Sequence, residues 1–327
     1  MKVLVTGSSG HLGEALVRSL RHASMEVVGM DIKKSEFTNI VGSVSDRAAV
    51  ADALAGVGSI IHTATLHKPH IVTHSTQDFV DTNITGTLVL LEKAVEAGIR
   101  SFVFTSSTSA FGHALRPAND GPAVWVTEDV HAIPKNIYGI TKVAAENLCE
   151  LFHRRHGVNC IALRTSRFFP DEDDSAEIRS QYADTNAKAN EFLFRRVDLQ
   201  DTVSAHVLAM ERASSVGFAR LIVSATTPFQ PHDVADLWAD ARSVVRRYFP
   251  RQPAIYERLG WKMFPSIDRV YDNSRARQLL DWHPEFDYER VLGSAEQGSD
   301  PYSDIARAVG TKYYHAEVFE DGPYPVD

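Results

Sequence analysis

Tyr138-Gly-Ile-Thr-Lys142 sets a phenol and an ammonium four residues apart. On a helix that spacing brings both groups to one face. A tyrosine near its reference pKa of about 10 is a poor base at neutral pH, but a neighbouring ammonium favours the phenolate. Such a base could remove a hydroxyl proton while the electron pair of a C–H bond leaves as hydride. Ser107, just beyond the strand-like Ser101 to Ser106, could hydrogen-bond the same oxygen and steady the charge that develops on it. A Tyr-x-x-x-Lys pair taken alone reads equally well as a partly buried helix face, so its setting must carry the assignment.

That setting begins at the first strand. After Lys2-Val-Leu-Val-Thr6 comes Gly7-Ser8-Ser9-Gly10-His11-Leu12-Gly13, a G-x-x-G-x-x-G spacing that opens a helix bearing Leu12, Leu16 and Leu20. Gly7 permits a tight turn, Gly10 lets the backbone approach a pyrophosphate, and Gly13 allows close helix–strand packing. The helix N-terminus then faces the phosphates, and His11 and Leu12 are assigned to the same cradle. Asp31 ends the second strand, 18 residues beyond Gly13. Its carboxylate can accept hydrogen bonds from the adenosine ribose and would repel a 2′-phosphate, which favours NAD over NADP. Lys33 and Lys34 leave some NADP use open, and a surface aspartate beginning a turn is the plainer alternative.

The elements alternate. Glu26 to Asp31 and Asn39 to Val44 read as strands, Asp46 to Ala55 as a helix, Ser59 to Ala64 as a strand, Thr76 to Ala97 as a long helix and Ser101 to Ser106 as a strand. Val44 is assigned to the dinucleotide site. Five or more such units imply an α/β fold with a doubly wound parallel sheet, the Rossmann architecture. Pro134 to His156 is helical and Asn159 to Arg164 reads as a sixth strand; then the rhythm breaks. The acidic stretch Pro170 to Asn190 reads as a loop or mobile lid with a solvated surface. Strand-like Arg220 to Ser224, helical Asp233 to Tyr248 and a Pro-, Trp- and Tyr-rich tail from Pro250 follow. The expected organisation is an NAD-binding domain over 1–165, with returning elements near 196–225, and a smaller, interleaved substrate-binding lobe over 166–327. Of Trp238, Trp261 and Trp282 most are expected in the core of that lobe, with one available to shape the substrate pocket.

The 327 residues can bury a substantial core, and the net charge of −8 with scattered basic residues argues against nucleic-acid binding. Two cysteines, Cys149 and Cys160, are too few for a disulfide framework. No signal-peptide pattern or 18-residue apolar run is present, so no membrane partner is expected and the location expected is cytoplasmic.

Together these motifs resemble the extended short-chain dehydrogenases/reductases of the NAD-dependent epimerase/dehydratase family. The resemblance covers nearly the whole chain and rests on Thr6 to Gly13, Asp31, Ile61-His62-Thr63-Ala64, Asn83 with Thr85-Gly86-Thr87, Phe104 to Gly112, Tyr138 with Lys142, and Arg196 to Asp201. It implies that Thr63 and Ala64 lie along the adenosine and pyrophosphate, that Thr105 and Thr165 sit near the nicotinamide, and that Asn83 belongs to the cofactor site. It makes Ser107 the catalytic hydroxyl and Thr108 a substrate contact, with Lys142 also holding the nicotinamide ribose. It also implies a homodimer through the helices of residues 76–97 and 135–156. His67 is placed as a cofactor or substrate-pocket contact. The family uses no metal, and His62, His67, His70 and His74 lack the Cys or Glu that would complete a zinc site.

Two departures narrow the function. Sugar-nucleotide dehydratases of this family carry an acid just after the catalytic hydroxyl, because elimination needs an extra acid and base; here Thr108, Ser109 and Ala110 follow. Epimerase or simple dehydrogenase chemistry on a sugar or sugar derivative is left. The second departure is a short substrate lobe, with 25 residues between Pro170 and Arg196. Arg167 stands where the family's Asn would approach substrate phosphates, and Arg195 and Arg196 follow. A guanidinium suits a carboxylate or phosphate, so a small anionic sugar such as a uronic acid is one reading. Pairing of these arginines with Asp171 to Asp174 or Asp198 is the other. A nucleotide-sugar 4-epimerase and a non-catalytic NAD-binding sensor or scaffold are the rival functions.

Overall fold

The computed structural model describes residues 1–117, 121–312 and 319. The last stretch of the expected C-terminal lobe, 313–318 and 320–327, lies outside the described residues.

Val3, Leu4 and Val5 have no exposed surface. The strand they form, β1 (Lys2–Thr6), lacks polar alternation because both its faces are covered. Next come α1 (His11–His22), β2 (Glu26–Asp31) and the short β3 (Ile40–Val41). Asp46 starts α2 (Arg47–Ala53) by accepting hydrogen bonds from the amides of Ala48 and Ala49. After β4 (Ser59–His62) the chain makes a 3₁₀ turn over Lys68–Val72, then α3 (Thr76–Phe79), a π-helical segment over Val80–Thr85 and α4 (Gly86–Glu96). The long helix expected from Thr76 is thus interrupted by wider turns.

The strands β5 (Ser101–Ser107) and β6 (Val124–Val126) precede α5 (Ile137–His156). Its first turn is fixed by Asn136, whose side-chain oxygen accepts from the Gly139 amide at 3.1 Å, and its end by Gly157 at φ +67°. Then follow β7 (Asn159–Thr165), α6 (Ala176–Gln181), α7 (Asp184–Glu191), α8 (Leu199–Val216), β8 (Phe218–Val223), α9 (Val234–Tyr248), α10 (Gln252–Leu259), β9 (Arg269–Tyr271), α11 (Ser274–Leu280), α12 (Tyr288–Gln297) and α13 (Asp304–Val309).

Seven strands form one parallel sheet in the order β3-β2-β1-β4-β5-β7-β8, as the alternation predicts. Val3 and Val5 point to the side covered by α1 and α8, and Leu4 to the side covered by α4 and α5. Strand order reverses between β1 and β4, the place where such sheets open a crevice at their carboxyl ends. The register aligns Thr6 with His62, His62 with Phe104 and Ser107 with Thr165, so the segments that follow these strands emerge along one edge. A separate parallel pair, β6 with β9, stands beside that edge.

The acidic stretch differs from the loop expected: it contains α6 and α7, and Asp173 is buried. Trp282 is fully buried with its indole N–H donating to Ser204 Oγ at 3.0 Å, while Trp238 and Trp261 are partly buried against the C-terminal cluster. No helix among the described residues is long and apolar enough to cross a membrane.

Candidate active site

A cavity of about 780 Å³ opens at the carboxyl ends of the strands, from Asp31 and Val44 past Thr63 to Ser107 and Tyr138. The glycine loop forms its floor. Gly7 has φ +70°, and a Cβ there would stand 2.7 Å from the Ala64 nitrogen. A Cβ on Gly13 would lie 1.9 Å from the Gly7 carbonyl oxygen, so only glycine lets α1 pack this closely on the loop. Asp31 shapes the loop as well as facing the cavity: its Oδ2 accepts from the Ser9 amide at 2.9 Å and its Oδ1 from the Lys33 amide at 2.8 Å.

His11 opens α1 with its ring stacked on Phe169 at 5.6 Å. Burial, aided by the charge of Lys312, lowers its pKa to about 4, so the ring is neutral at pH 7. Its Nε2 is buried without a hydrogen-bond partner among the described residues. A polar atom left over at the positive end of a helix, beside a cradle that a Cβ would fill, fits a pyrophosphate. Gly10, Leu12 and Ala64 line the same end.

At the other end Tyr138 lies in the first turn of α5, its ring edge-on to His67 at 4.9 Å. Burial raises the pKa of the phenol, opposed by a hydrogen bond with Ser107. One turn on, the Lys142 Nζ donates to the Thr105 carbonyl at 2.8 Å and sits 5.7 Å from the Tyr138 ring centroid. Burial lowers the Lys142 pKa to about 7, with Glu146 and Cys149 acting the other way. The interaction that opposes burial of the phenol is its hydrogen bond with Ser107, while the Lys142 ammonium is engaged by the Thr105 carbonyl.

This has a measurable consequence for stability. Below about pH 7 the folded chain must bury an ammonium; between 7 and 10.5 the unfolded lysine keeps a proton that the folded one has released, so stability from this group rises with pH over that window. Lys142→Met is expected to be more stable than wild type near pH 7 and to lose that advantage as the pH approaches 10. Urea denaturation of both apoproteins checks this, and a difference that does not vary with pH contradicts it.

Thr105 Oγ1 is hydrogen-bonded to Nε2 of His206 at 2.8 Å, while His206 Nδ1 meets the Thr202 carbonyl at 2.7 Å. His206 is neutral, with its pKa lowered by burial to about 4, so Nδ1 carries the proton and Nε2 accepts from the Thr105 hydroxyl. Thr165 Oγ1 donates to the Ser106 carbonyl at 3.0 Å. Thr105, Thr165 and Thr108 line the cavity.

Two assigned residues stand behind the wall rather than in it. Asn83 is buried, and its Oδ1 accepts from the Leu66 amide at 2.8 Å while its Nδ2 donates to Leu66 O at 3.0 Å and to Thr141 Oγ1 at 2.9 Å. It braces the segment after β4 against α5 and is not among the residues lining the cavity. Nor is Arg196. Residues 167 and 196 form a parallel bridge at the end of the turn 192–195. Arg195, in that turn, lines the cavity, while Arg196 turns inward to Glu191 at 2.8 Å and the Phe169 carbonyl at 2.9 Å.

Arg167 lines the cavity and is held by carboxylates. Its guanidinium meets Asp173, Asp174 at 2.5 Å and Glu191 at 2.8 Å. Lys68 reaches Asp174 at 2.5 Å, and Arg195 reaches Glu191 at 2.8 Å. Burial would raise the pKa of Glu191, but Arg195, Arg167 and Arg196 hold it well below the usual carboxylate range. Asp173 and Asp174 of the acidic run are thus counter-charges of an arginine cluster, while Glu172 is exposed.

Several cavity residues went unassigned from the sequence: Lys68, Asp174, Arg269, Tyr271 and Lys312. Glu146 supports the site from behind, accepting from Ser106 Oγ at 2.6 Å and from Arg164 at 2.8 and 3.0 Å. Its position four residues beyond Lys142, on the same helix face, was the available signal. His70 and His74 line the cavity with rings 5.2 Å apart. Among the described residues no group of three or more His, Cys, Asp or Glu side chains is placed to hold a metal ion.

Comparison with known proteins agrees with this geometry. A sequence model of the NAD dependent epimerase/dehydratase family matches residues 3–217. A short-chain dehydrogenase/reductase superfamily protein from Agrobacterium tumefaciens, solved with bound NAD, is similar with a TM-score of 0.65 and 25% identity, covering 91% of this chain and 96% of that one. A UDP-glucose 4-epimerase of Rhizobium leguminosarum bv. trifolii is 24% identical over 326 residues, covering 90% of this chain and 95% of the relative. An uncharacterized protein of Sinorhizobium fredii is 30% identical over 167 residues, but that match covers 49% of this chain and spans only 39% of the relative's own length.

Proposed function

This chain belongs to the NAD dependent epimerase/dehydratase family, and on that premise we propose that it moves hydride reversibly between NAD and a carbinol carbon of a sugar or sugar derivative. The observation that carries this reading is the meeting of Ser107, Tyr138 and Lys142 in one wall of a cavity whose far end is the glycine cradle. Tyr138 takes the hydroxyl proton of the substrate, and Ser107 holds the same oxygen and eases formation of the phenolate. NAD, when bound, supplies the hydride acceptor and a positive ring beside the phenol. Lys142, fixed on the Thr105 carbonyl, is placed to hold the nicotinamide ribose. Residues 1–165, joined by 196–225, would carry the dinucleotide, and the remainder the sugar.

Dehydratase chemistry is disfavoured. Thr108–Ala110 form a 3₁₀ turn without an acid, and among the described residues the carboxylates lining the cavity are Asp31, at the adenosine end, and Asp174, engaged by Arg167 and Lys68. The cations Lys68, Arg167, Arg195 and Arg269 at the substrate end support an anionic sugar, and a uronic acid is the form we propose. The second reading is a nucleotide-sugar 4-epimerase, favoured by the near full-length similarity to the Rhizobium relative. A non-catalytic NAD-binding protein is disfavoured because Tyr138 and Lys142 both face the cavity.

Galacturonate and glucuronate with NAD decide between them. Stoichiometric NADH is the expected result, and no turnover of either acid removes the uronate reading. Tightly held NAD, with conversion of a UDP-sugar and no net absorbance change, would establish the epimerase instead.

A further inference from the structure

Asp174 differs from the other acids of the arginine cluster. Glu191 and Asp173 are buried behind the wall, with side chains 1% and 7% exposed, and Glu191 alone joins Arg167, Arg195 and Arg196. Asp174 is 22% exposed and faces the cavity. Its two oxygens take different cations: Oδ1 accepts from Arg167 at 2.5 Å and Oδ2 from Lys68 at 2.5 Å. This is the arrangement in which a guanidinium and an ammonium would hold the carboxylate or phosphate of a ligand.

We propose that Asp174 is a specificity-determining residue that fills, from within the chain, a Lys68–Arg167 anion subsite at the substrate end of the cavity, so that an anionic substrate group enters by displacing it. The inference deepens the anionic-sugar reading above and rests on it. Among the described residues Lys68, Arg167, Arg195 and Arg196 are balanced against Glu191, Asp173 and Asp174. Exchanging Asp174 for a ligand carboxylate preserves that balance, whereas a neutral ligand group in the same place would strand two cations. Asp174 also lies outside the helices, one residue before the cap of α6, so its departure breaks no helical hydrogen bond. Burial would raise its pKa, but Arg167 and Lys68 hold it well below the usual carboxylate range, so it stays ionised near neutrality and the competition is not relieved by protonation. Selectivity then comes from a built-in competitor: a ligand must match a carboxylate's charge and geometry to gain entry.

The test uses the full chain loaded with NAD. Inorganic phosphate probes the subsite whatever the sugar, and galacturonate and its neutral methyl ester probe it in a sugar's frame. By calorimetric titration, Asp174→Asn is expected to bind phosphate and galacturonate about tenfold more tightly than wild type, as fits a freed charge-assisted hydrogen bond. The methyl ester should change less than about twofold, and adding Arg167→Gln should erase the gain. Phosphate affinity unchanged in Asp174→Asn, or a gain that survives Arg167→Gln, overturns the proposal. Asp174→Ala, which removes the carboxylate without adding an amide, serves if Asp174→Asn does not fold. Tighter phosphate binding without galacturonate turnover keeps the Asp174 assignment and removes the uronate. Galacturonate turnover with unchanged affinities does the reverse.

Discussion

Tyr138→Phe is expected to lower turnover by about three orders of magnitude while leaving NAD affinity within about twofold, in keeping with loss of a positioned acid–base group. The ring keeps its edge-on contact with His67 at 4.9 Å and its place beneath Lys142, so packing is undisturbed. What is lost is the hydroxyl and its hydrogen bond to Ser107, the one interaction that opposes the burial penalty on the phenolate. The glycine cradle and Asp31 lie at the opposite end of the cavity and keep their geometry. Steady-state rates with the sugar that the wild type turns over, beside a fluorescence titration with NADH, provide the measurement. Activity above a tenth of wild type removes Tyr138 from its role.

Glu146→Ala is expected to cost about 3–5 kcal/mol of stability, the range for breaking one side of a buried ion pair. The Glu146 side chain is 1% exposed and that of Arg164 5%. Arg220 also reaches the same carboxylate, at 3.0 Å. Removing it strands the Arg164 guanidinium and the Ser106 hydroxyl, immediately before Ser107, whereas Arg220 keeps Glu150 at 2.8 Å. It also removes the charge that holds the Lys142 pKa up, so that value should fall below about 7. The alkaline limb of the pH–rate profile is therefore expected to move to lower pH. A double variant, Glu146→Leu with Arg164→Met, separates the two effects: much of the stability should return, since no full charge is left stranded on β7, while the shifted pH profile should persist. Urea unfolding and a pH series of kcat measure these. A profile identical to wild type confines Glu146 to a structural role.

How far the sequence was legible depended on the range over which each feature is determined. The glycine loop, Asp31 and the Tyr138–Lys142 face are local patterns, each specified within one βα unit, and all line the cavity. The parallel sheet followed from alternation because strands covered on both faces leave an unbroken apolar run, as at Val3 to Val5. Reading failed where a partner far along the chain decides the outcome. Arg195 and Arg196 look alike in sequence, but Arg195 ends a turn that faces the cavity and Arg196 is drawn inward by Glu191. Asn83 was assigned by motif, yet its amide is used by Leu66 and Thr141. For the acidic run the sequence left two readings open, a solvated surface and pairing with the nearby arginines, and the fold brings Asp173 and Asp174 to Arg167. Arg269, Tyr271 and Lys312 come from segments that carry no dinucleotide pattern at all.

The pairing of Val124 with Arg269 ties together segments that leave the ribosome far apart in time. The glycine loop and β1, β2 and β4 emerge early, whereas the wall bearing Arg269 and Tyr271 cannot close until most of the chain has been synthesised. Long-range closure of this kind is the slow part of folding. A nascent chain therefore has its glycine loop before the wall bearing Arg269 and Tyr271 is synthesised, and NAD binding at that point would favour the native sheet by mass action. In the cell, cofactor supply would then bear on the yield of folded protein as well as on its rate of turnover.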